Sequence, residues 1–207
     1  MTLVLITGAT RGIGQAAAVE LARQGAEVAL VGRDPERVRN VAEEARAAAR
    51  GAGDTAGERA GDTAGERVHE HVADLSSMVE VRHLAEEVRG RYEHIDVLAN
   101  NAGALFHARK LTHEGFERTF ALNHLSPFLL TNLLRDRLAG GPLSGGRVSG
   151  GRVVTTASDA HESGVLDLED LQSERSYRAM RVYGTTKLCN ILFTRELSRR
   201  APELHAN

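Results

Sequence analysis

Thr7-Gly8-Ala9-Thr10-Arg11-Gly12-Ile13-Gly14 stands between an apolar run at 2–7 (Thr-Leu-Val-Leu-Ile-Thr) and a helical pattern over 16–24. The run is short, unbroken and rich in branched side chains, which predicts a strand buried on both faces. The helical pattern puts Ile13, Ala17 and Leu21 on one side, read as the inward side. Strand, glycine turn and helix in this order let a ligand approach the backbone while the helix offers it free N–H groups and the positive end of its dipole. A diphosphate suits such a turn, with Gly8, Thr10, Arg11, Gly12, Ile13 and Gly14 as its candidate contacts. The spacing is G-x-x-x-G-x-G, so the placement between first strand and first helix carries the nucleotide reading more than the glycines do.

Outward from the turn the same unit repeats. A second strand over 27–31 ends in Gly32-Arg33-Asp34-Pro35, where Asp34 can cap and Pro35 can open the next helix. The end of this strand discriminates cofactors, because an acidic side chain there suits a ribose 2′-hydroxyl and a basic one a 2′-phosphate. Gly32 leaves room and Arg33 offers a fork of donors, which with Arg11 favours NADP over NAD. The alternative is a solvated Arg33 with recognition through Asp34. A helix from 35 to about 50 is followed by Gly-Asp-Thr-Ala-Gly-Glu-Arg twice, at 53–59 and 61–67, a polar loop with no apolar face. A third strand over 68–73 leads to Asp74-Leu75, candidate cofactor contacts, and to Ser77 and Glu80, spaced as a capping box for a helix to 91. Asp74 serves equally well against an adenine edge or as a cap.

A fourth strand over 95–99 is closed by Asn100-Asn101-Ala102-Gly103; Asn101, Ala102 and Gly103 are small or amide residues suited to a backbone that passes close to a cofactor. Four strand–helix units predict an α/β chain with a doubly wound parallel sheet of the Rossmann type. Residues 114–138 read as one long helix containing Asn123 and Pro127. A proline there removes the hydrogen bond to the carbonyl four residues back, that of Asn123, leaving it free to hold water. Ser-Gly-Gly-Arg-Val occurs twice, at 144–148 and 149–153, in a glycine-rich connection, and a fifth strand is placed at 152–156, running into Ala157-Ser158-Asp159-Ala160-His161.

Tyr183-Gly184-Thr185-Thr186-Lys187 opens a further helical run striped by Leu188, Ile191, Leu192 and Leu197. Tyrosine and lysine four apart share one helical face. A free tyrosine titrates near ~10, and an ammonium within about 4–6 Å favours the phenolate, so such a pair can act as a general acid and base. Tyr177 and Arg181 have the same spacing, but an arginine is charged at all accessible pH and makes a poor proton partner. His69 and His71 alternate on one strand face without a third ligand at metal spacing, so no metal site is assigned.

Composition excludes several classes. With 207 residues, 42% hydrophobic and 26% charged, the chain reads as one globular domain spanning 1–207. A formal net charge of −2 with interspersed signs gives no footprint for nucleic acid or an anionic membrane. Cys189 alone supports no disulfide framework and reads as core filler in a reducing compartment. No apolar stretch approaches the ~20 residues of a membrane span, and a cytoplasmic protein is expected.

Taken in order, the glycine turn, Asn100-Asn101-Ala102-Gly103, Asn123, Ser158 and Tyr183-x-x-x-Lys187 resemble the short-chain dehydrogenase/reductase family, over 7 to about 200. Ser158-Asp159-Ala160-His161, Asp170-Leu171 and the Tyr183–Asn190 segment look most like its retinol dehydrogenase-like branch. The resemblance implies hydride transfer between a nicotinamide and an alcohol or carbonyl substrate of apolar character. It implies Tyr183 as the proton-transferring group, Ser158 as a hydrogen-bond donor to the reacting oxygen, and Lys187 beside both the tyrosine and the nicotinamide ribose. Asn123 would hold a water through its carbonyl. It also implies a tendency to dimers and tetramers. The family continues with a sixth strand, a Pro-Gly turn, a substrate-covering segment and a seventh strand, whereas this chain stops at 207. The expectation is therefore a fold lacking its last strands, with 201–207 as the stump of the sixth, and a competing reading as an NADP-binding module without turnover.

Overall fold

A computed structural model describes residues 1–53, 64–138 and 150–207. Residues 54–63 and 144–149 of the two pairs of repeats lie outside the described residues; Gly53 ends a helix, and 64–67 form a short 3₁₀ turn. Strands β1 (Leu3–Thr7), β2 (Glu27–Gly32), β3 (Val68–Val72), β4 (Val97–Asn100), β5 (Arg152–Thr155) and β6 (His205–Ala206) form one parallel sheet in the order β3-β2-β1-β4-β5-β6. That order reverses direction between β1 and β4, the crevice where open α/β sheets bind ligands at their carboxyl ends. The two residues of β6 pair with β5, His205 beside Arg152 and Ala206 beside Val153, so the expected stump is a real strand of the sheet.

β1 shows why the sheet sits in the middle of the molecule. Leu3 and Leu5 face one layer with Ala29, Val31 and Leu98, packed under helices α3 (Met78–Arg91), α5 (Ser126–Leu133) and α7 (Ala179–Arg200). Val4 and Ile6 face the other with Val28 and Leu30, under α1 (Gly12–Arg23) and α2 (Pro35–Gly53). Alternate residues of a strand point to opposite faces, so an unbroken apolar run is what a sheet covered on both sides requires.

Three helical expectations need correction. The inward face of α1 is centred on Gly14, Ala18 and Ala22; of the predicted trio, Leu21 is half-buried against the same core and Ala17 half-buried, while Ile13 is 74% exposed. Close packing of the helix onto the glycine turn demands small residues, and hydrophobicity alone does not register them. The span 114–138 is not one helix: α4 (Arg118–Phe120) enters a π-helical turn over Ala121–Leu125, followed by α5, a break at Leu134 and α6 (Arg135–Leu138). Pro127 explains the wide turn, since it cannot supply the N–H that an α-helix would present to Asn123. In α7 the buried face is Val182, Gly184, Thr186, Lys187, Cys189, Asn190 and Leu197, more polar than the predicted leucine stripe, and Leu192 faces outward.

The cap of α3 also departs from the reciprocal box. Ser77 Oγ accepts from Glu80 N (3.3 Å), but Glu80 Oε2 accepts from Asp74 N (2.6 Å), and Glu114 Oε1 takes Val79 N (3.0 Å) and Ser77 Oγ–H (3.1 Å). Asp74 instead accepts from the backbone and hydroxyl of Ser76.

Candidate active site

The glycine turn leaves β1 with Gly8 and Gly12 at φ +66° and +56°, left-handed conformations that favour glycine. A Cβ on Gly8 would stand 2.7 Å from Ala102 Cα, and one on Gly14 would strike Gly8 O and Asn101 Nδ2. Gly12 differs, with nothing within 4 Å of its would-be Cβ. The turn is thus pressed onto the end of β4 at Gly8 and Gly14 and open at Gly12 and Ile13. Thr7 Oγ1 bolts the two strand ends together by accepting from Asn101 N (3.0 Å) and Ala102 N (3.1 Å) and donating to Ala99 O (3.2 Å). Asn101 Nδ2 donates to the carbonyls of Thr7 (3.1 Å) and Gly8 (3.2 Å).

At the end of β2, the space beside Gly32 is not left for a ligand: Thr10 Cγ2 and Val38 Cγ2 occupy it. Asp34 is committed to α2, accepting from Glu36 N (3.1 Å) and Arg37 N (3.2 Å). Arg11 and Arg33 are exposed, and neither has an ion pair or hydrogen bond from its side chain among the described residues. Leu75 is buried in the core, so only its backbone is available to a ligand.

On the other side of the crevice the site is made of buried polar groups. Lys187 is 3% exposed; its Nζ donates to Thr156 O (2.7 Å) and stands 5.6 Å from the centre of the Tyr183 ring. Burial pulls its ammonium below the ordinary lysine range, with no carboxylate to offset the cost. A Cβ on Gly103 would lie 3.6 Å from Lys187 Nζ and 3.4 Å from Asn123 Oδ1, so these three predicted residues meet. Asn123 clamps the loop after β4, accepting from Ala104 N (2.9 Å) and donating to Ala104 O (3.0 Å) and Thr186 Oγ1 (3.2 Å). Its carbonyl, expected to be free, accepts from Asn190 Nδ2 (2.9 Å). A carbonyl has two lone pairs, so one position remains for water.

Ser158 caps the 3₁₀ turn Asp159–Ser163, its Oγ accepting from Ala160 N (3.2 Å). That bond uses a lone pair and leaves the hydroxyl proton to donate elsewhere. His161 grips the same corner, with Nδ1 2.8 Å and its backbone N 3.0 Å from Ser158 O. The turn is seated on α7 backbone to backbone: a Cβ on Gly184 would strike Ala160 O, and one on Gly164 would lie 2.7 Å from Gly184 O. Ser158 and Tyr183 are thereby carried on touching elements.

Tyr177 is engaged elsewhere, donating to Phe106 O (2.7 Å) and paired with Thr119 Oγ1 (2.9 Å), and burial raises its pKa. His69 pairs with Glu27 and Arg91, and buried His71 with Glu87 and Tyr92. Among the described residues no group of three or more potential ligands could hold a metal. The sequence reading missed the Thr156 carbonyl, Thr186 and Asn190. The sequence marks Asn190 only as an amide interrupting an apolar stripe and gives no sign of its partner, a backbone carbonyl.

The donor set fits a nicotinamide dinucleotide. It offers Gly12 open to a diphosphate and, among the described residues, two guanidinium groups without a partner, Arg11 in the glycine turn and Arg33 after β2, and a buried ammonium with two N–H donors that no protein atom takes. The family model for short chain dehydrogenases matches residues 2–204. A candidate daunorubicin C-13 ketoreductase of Streptomyces sp. is 46% identical over 97% of this chain and 62% of its own length. Human retinol dehydrogenase 14 is 40% identical over 95% of this chain and 56% of its own length. This chain thus spans about three fifths of the curated relatives it matches. A crystal structure of an uncharacterised protein from Mycobacterium paratuberculosis superposes with a TM-score of 0.78 at 36% identity, over all of this chain and 66% of that one. Two further structures at 26% identity carry a nicotinamide cofactor. An alcohol dehydrogenase from Thermococcus sibiricus with 5-hydroxy-NADP has a TM-score of 0.70 over 99% of this chain and 73% of that one. An NADH-dependent reductase with NAD has a TM-score of 0.71 over 98% and 75%. Among the described residues no helix is long and apolar enough to cross a membrane.

Proposed function

The chain belongs to the short-chain dehydrogenase family, and from that premise we propose that it is an NADP-dependent oxidoreductase acting on an alcohol or carbonyl carbon of an apolar substrate. The observation that carries the reading is the buried Lys187 ammonium, held by Thr156 O beside the Tyr183 ring with, among the described residues, two donors to spare. When bound, the nicotinamide supplies the hydride for reduction of a carbonyl, or accepts it in the reverse direction. Gly8, Gly12, Ile13, Gly14 and the start of α1 would receive the diphosphate, and Asn101, Ala102, Gly103 and Lys187 the nicotinamide end. Asp74 and Leu75 would border the adenine.

Tyr183 donates its phenolic proton to the carbonyl oxygen during reduction, and takes it back from the alcohol in the reverse direction. The Ser158 hydroxyl donates to the same oxygen as charge gathers there. Lys187 stabilises the phenolate left behind, and the second lone pair of the Asn123 carbonyl holds a water that returns the proton from solvent. Support for NADP lies in Arg11 and Arg33, free to take a 2′-phosphate, and in Asp34, whose carboxylate is spent on α2. Support for an apolar substrate comes from the relatives, whose names refer to retinol and daunorubicin.

The test is NADPH oxidation by the chain with a panel of apolar aldehydes and ketones, beside titrations with NADPH and NADH. Turnover with a preference for NADPH that Arg33→Ala lowers by roughly tenfold, as loss of a charge-assisted phosphate contact implies, is the expected result. A preference for NADH overturns the cofactor assignment, and cofactor binding without any turnover would mark a binding module.

A further inference from the structure

Asn190 lies one turn beyond Lys187 on α7, is 3% exposed, and has both ends of its amide engaged. Nδ2 donates to the Asn123 carbonyl (2.9 Å), and Oδ1 is paired with His124 Nδ1 (3.0 Å). A carbonyl only accepts, so the amide can face Asn123 in one orientation alone. Oδ1 is then turned to His124, whose Nδ1 must carry the proton. Burial favours the neutral ring, and that ring stands between Phe120 and Phe128 at centroid distances of 5.4 and 6.2 Å. One tautomer therefore fixes one amide orientation.

The carbonyl that Asn190 holds is the one Pro127 deprives of a helical partner. A buried carbonyl left unpaired is costly, and Asn190 reaches it from the helix that carries Tyr183 and Lys187. The side chain of the same Asn123 binds Thr186 Oγ1, which in turn donates to Tyr183 O (2.7 Å), and it clamps Ala104 on the loop after β4. Asn123 is thus tied to α7 at two heights, one below the catalytic pair and one within it.

We propose that Asn190 is a positioning residue: by donating to the Asn123 carbonyl it fixes the rotation and height of α7, and with them the Tyr183 phenol and Lys187 ammonium relative to Gly103 and Ser158. His124 serves it by holding the amide in the donating orientation. The proposal rests on the oxidoreductase reading for its kinetic consequence and on the hydrogen bonds alone for its premise.

The substitution Asn190→Asp keeps the shape and removes the donor whenever the carboxyl is ionised. The titratable and charged groups around this position are His124 on the π-helical turn and Lys187 and Arg195 on α7; Asn190, Arg195 and Asn207 line a cavity of about 380 Å³. The ratio of variant to wild-type kcat, measured at each pH, is expected to be down by about tenfold or more at alkaline pH, as for a buried hydrogen bond lost. It should climb as pH falls and the protonated carboxyl donates again. KM and NADPH binding should change little. His124→Phe, an apolar ring between two others, is expected to lower kcat a few-fold with unchanged KM. A ratio constant with pH, or a loss confined to KM, overturns the proposal. Nitrogen-15 NMR of the imidazoles gives a reading independent of turnover. His124 should be the Nδ1–H tautomer in the wild type and lose it in Asn190→Leu, and an Nε2–H tautomer in the wild type overturns the proposal. Absence of turnover in the wild type defeats the oxidoreductase reading, and the tautomer then decides the hydrogen-bond premise by itself.

Discussion

The two walls of the crevice are built from opposite materials. Toward β1 and β2 the wall is made by removing side chains, with Gly8 and Gly14 pressed against Ala102 and Asn101 and Gly12 left open. Toward β4, β5 and α7 it is made by burying polar ones, with Lys187, Asn123, Thr186 and Asn190 all at or below 3% exposure. In the proposed reading the first wall would receive a ligand through shape and backbone N–H groups, and damage to it is steric. The second would perform proton chemistry through groups that are costly to bury, and damage to it would separate activity from stability.

The largest expected effect sharpens that contrast. Tyr183→Phe removes the proton and little volume, so kcat should fall by about 10²–10⁴-fold while NADPH titration and the unfolding midpoint stay near wild type. A variant retaining most of its turnover would deny the polar wall its chemistry. Next comes a pair within the first wall. Gly14→Ala should cost about 1–3 kcal/mol in urea unfolding through collision with Gly8 O and Asn101 Nδ2, and weaken NADPH binding. Gly12→Ala meets no atom and should cost only about 1 kcal/mol, from its left-handed φ. Equal costs at the two positions would mean that backbone conformation, not contact, shapes this wall.

How far the sequence reveals these walls follows from the same difference. Leu3, Val4, Leu5 and Ile6 announce a doubly covered strand because both faces are apolar, and the alternation of strands with helices carries the sheet order with it. The face of α1 is illegible by hydrophobicity, since Gly14, Ala18 and Ala22 are selected for smallness and Ile13 is turned outward. Tyr183 and Lys187 are legible as a pair because one helical turn joins them. Asn190 is not, because its partner's carbonyl belongs to every residue's backbone and becomes special only through Pro127, 63 positions away. Gly32 misleads for a related reason: an absent side chain looks like room for a ligand until Thr10 and Val38 are seen to fill it.

Two smaller predictions concern stability. Burial lowers the pKa of Lys187, so below the ordinary lysine value of about 10.4 the folded chain binds this proton less readily than the unfolded one, and at neutral pH the charge opposes folding. Lys187→Met should therefore raise the unfolding midpoint of the ligand-free protein, by roughly 2–4 °C for each kcal/mol recovered, while abolishing turnover. A lower midpoint would show that the Thr156 bond outweighs the buried charge. His71 on β3 works in the same sense at lower pH, with burial depressing its pKa against the opposing pull of Glu87. The stability it contributes is complete above about 6.5 and is lost as pH falls through that value toward its folded pKa. His71→Gln should flatten the fall of the unfolding midpoint on mild acidification, and an unchanged slope would remove His71 as its source.

The π-helical turn at Ala121–Leu125 amounts to one surplus residue wound into a helix. Deleting a single codon there would take out the surplus residue and carry Asn123 off the face it now presents to α7, while Pro127 would still withhold one N–H from the helix. The genetic distance between a chain that holds this carbonyl for α7 and one that does not is thus one in-frame event. Inheritance of the extra residue is a trace that can be followed across related genes without knowledge of any substrate.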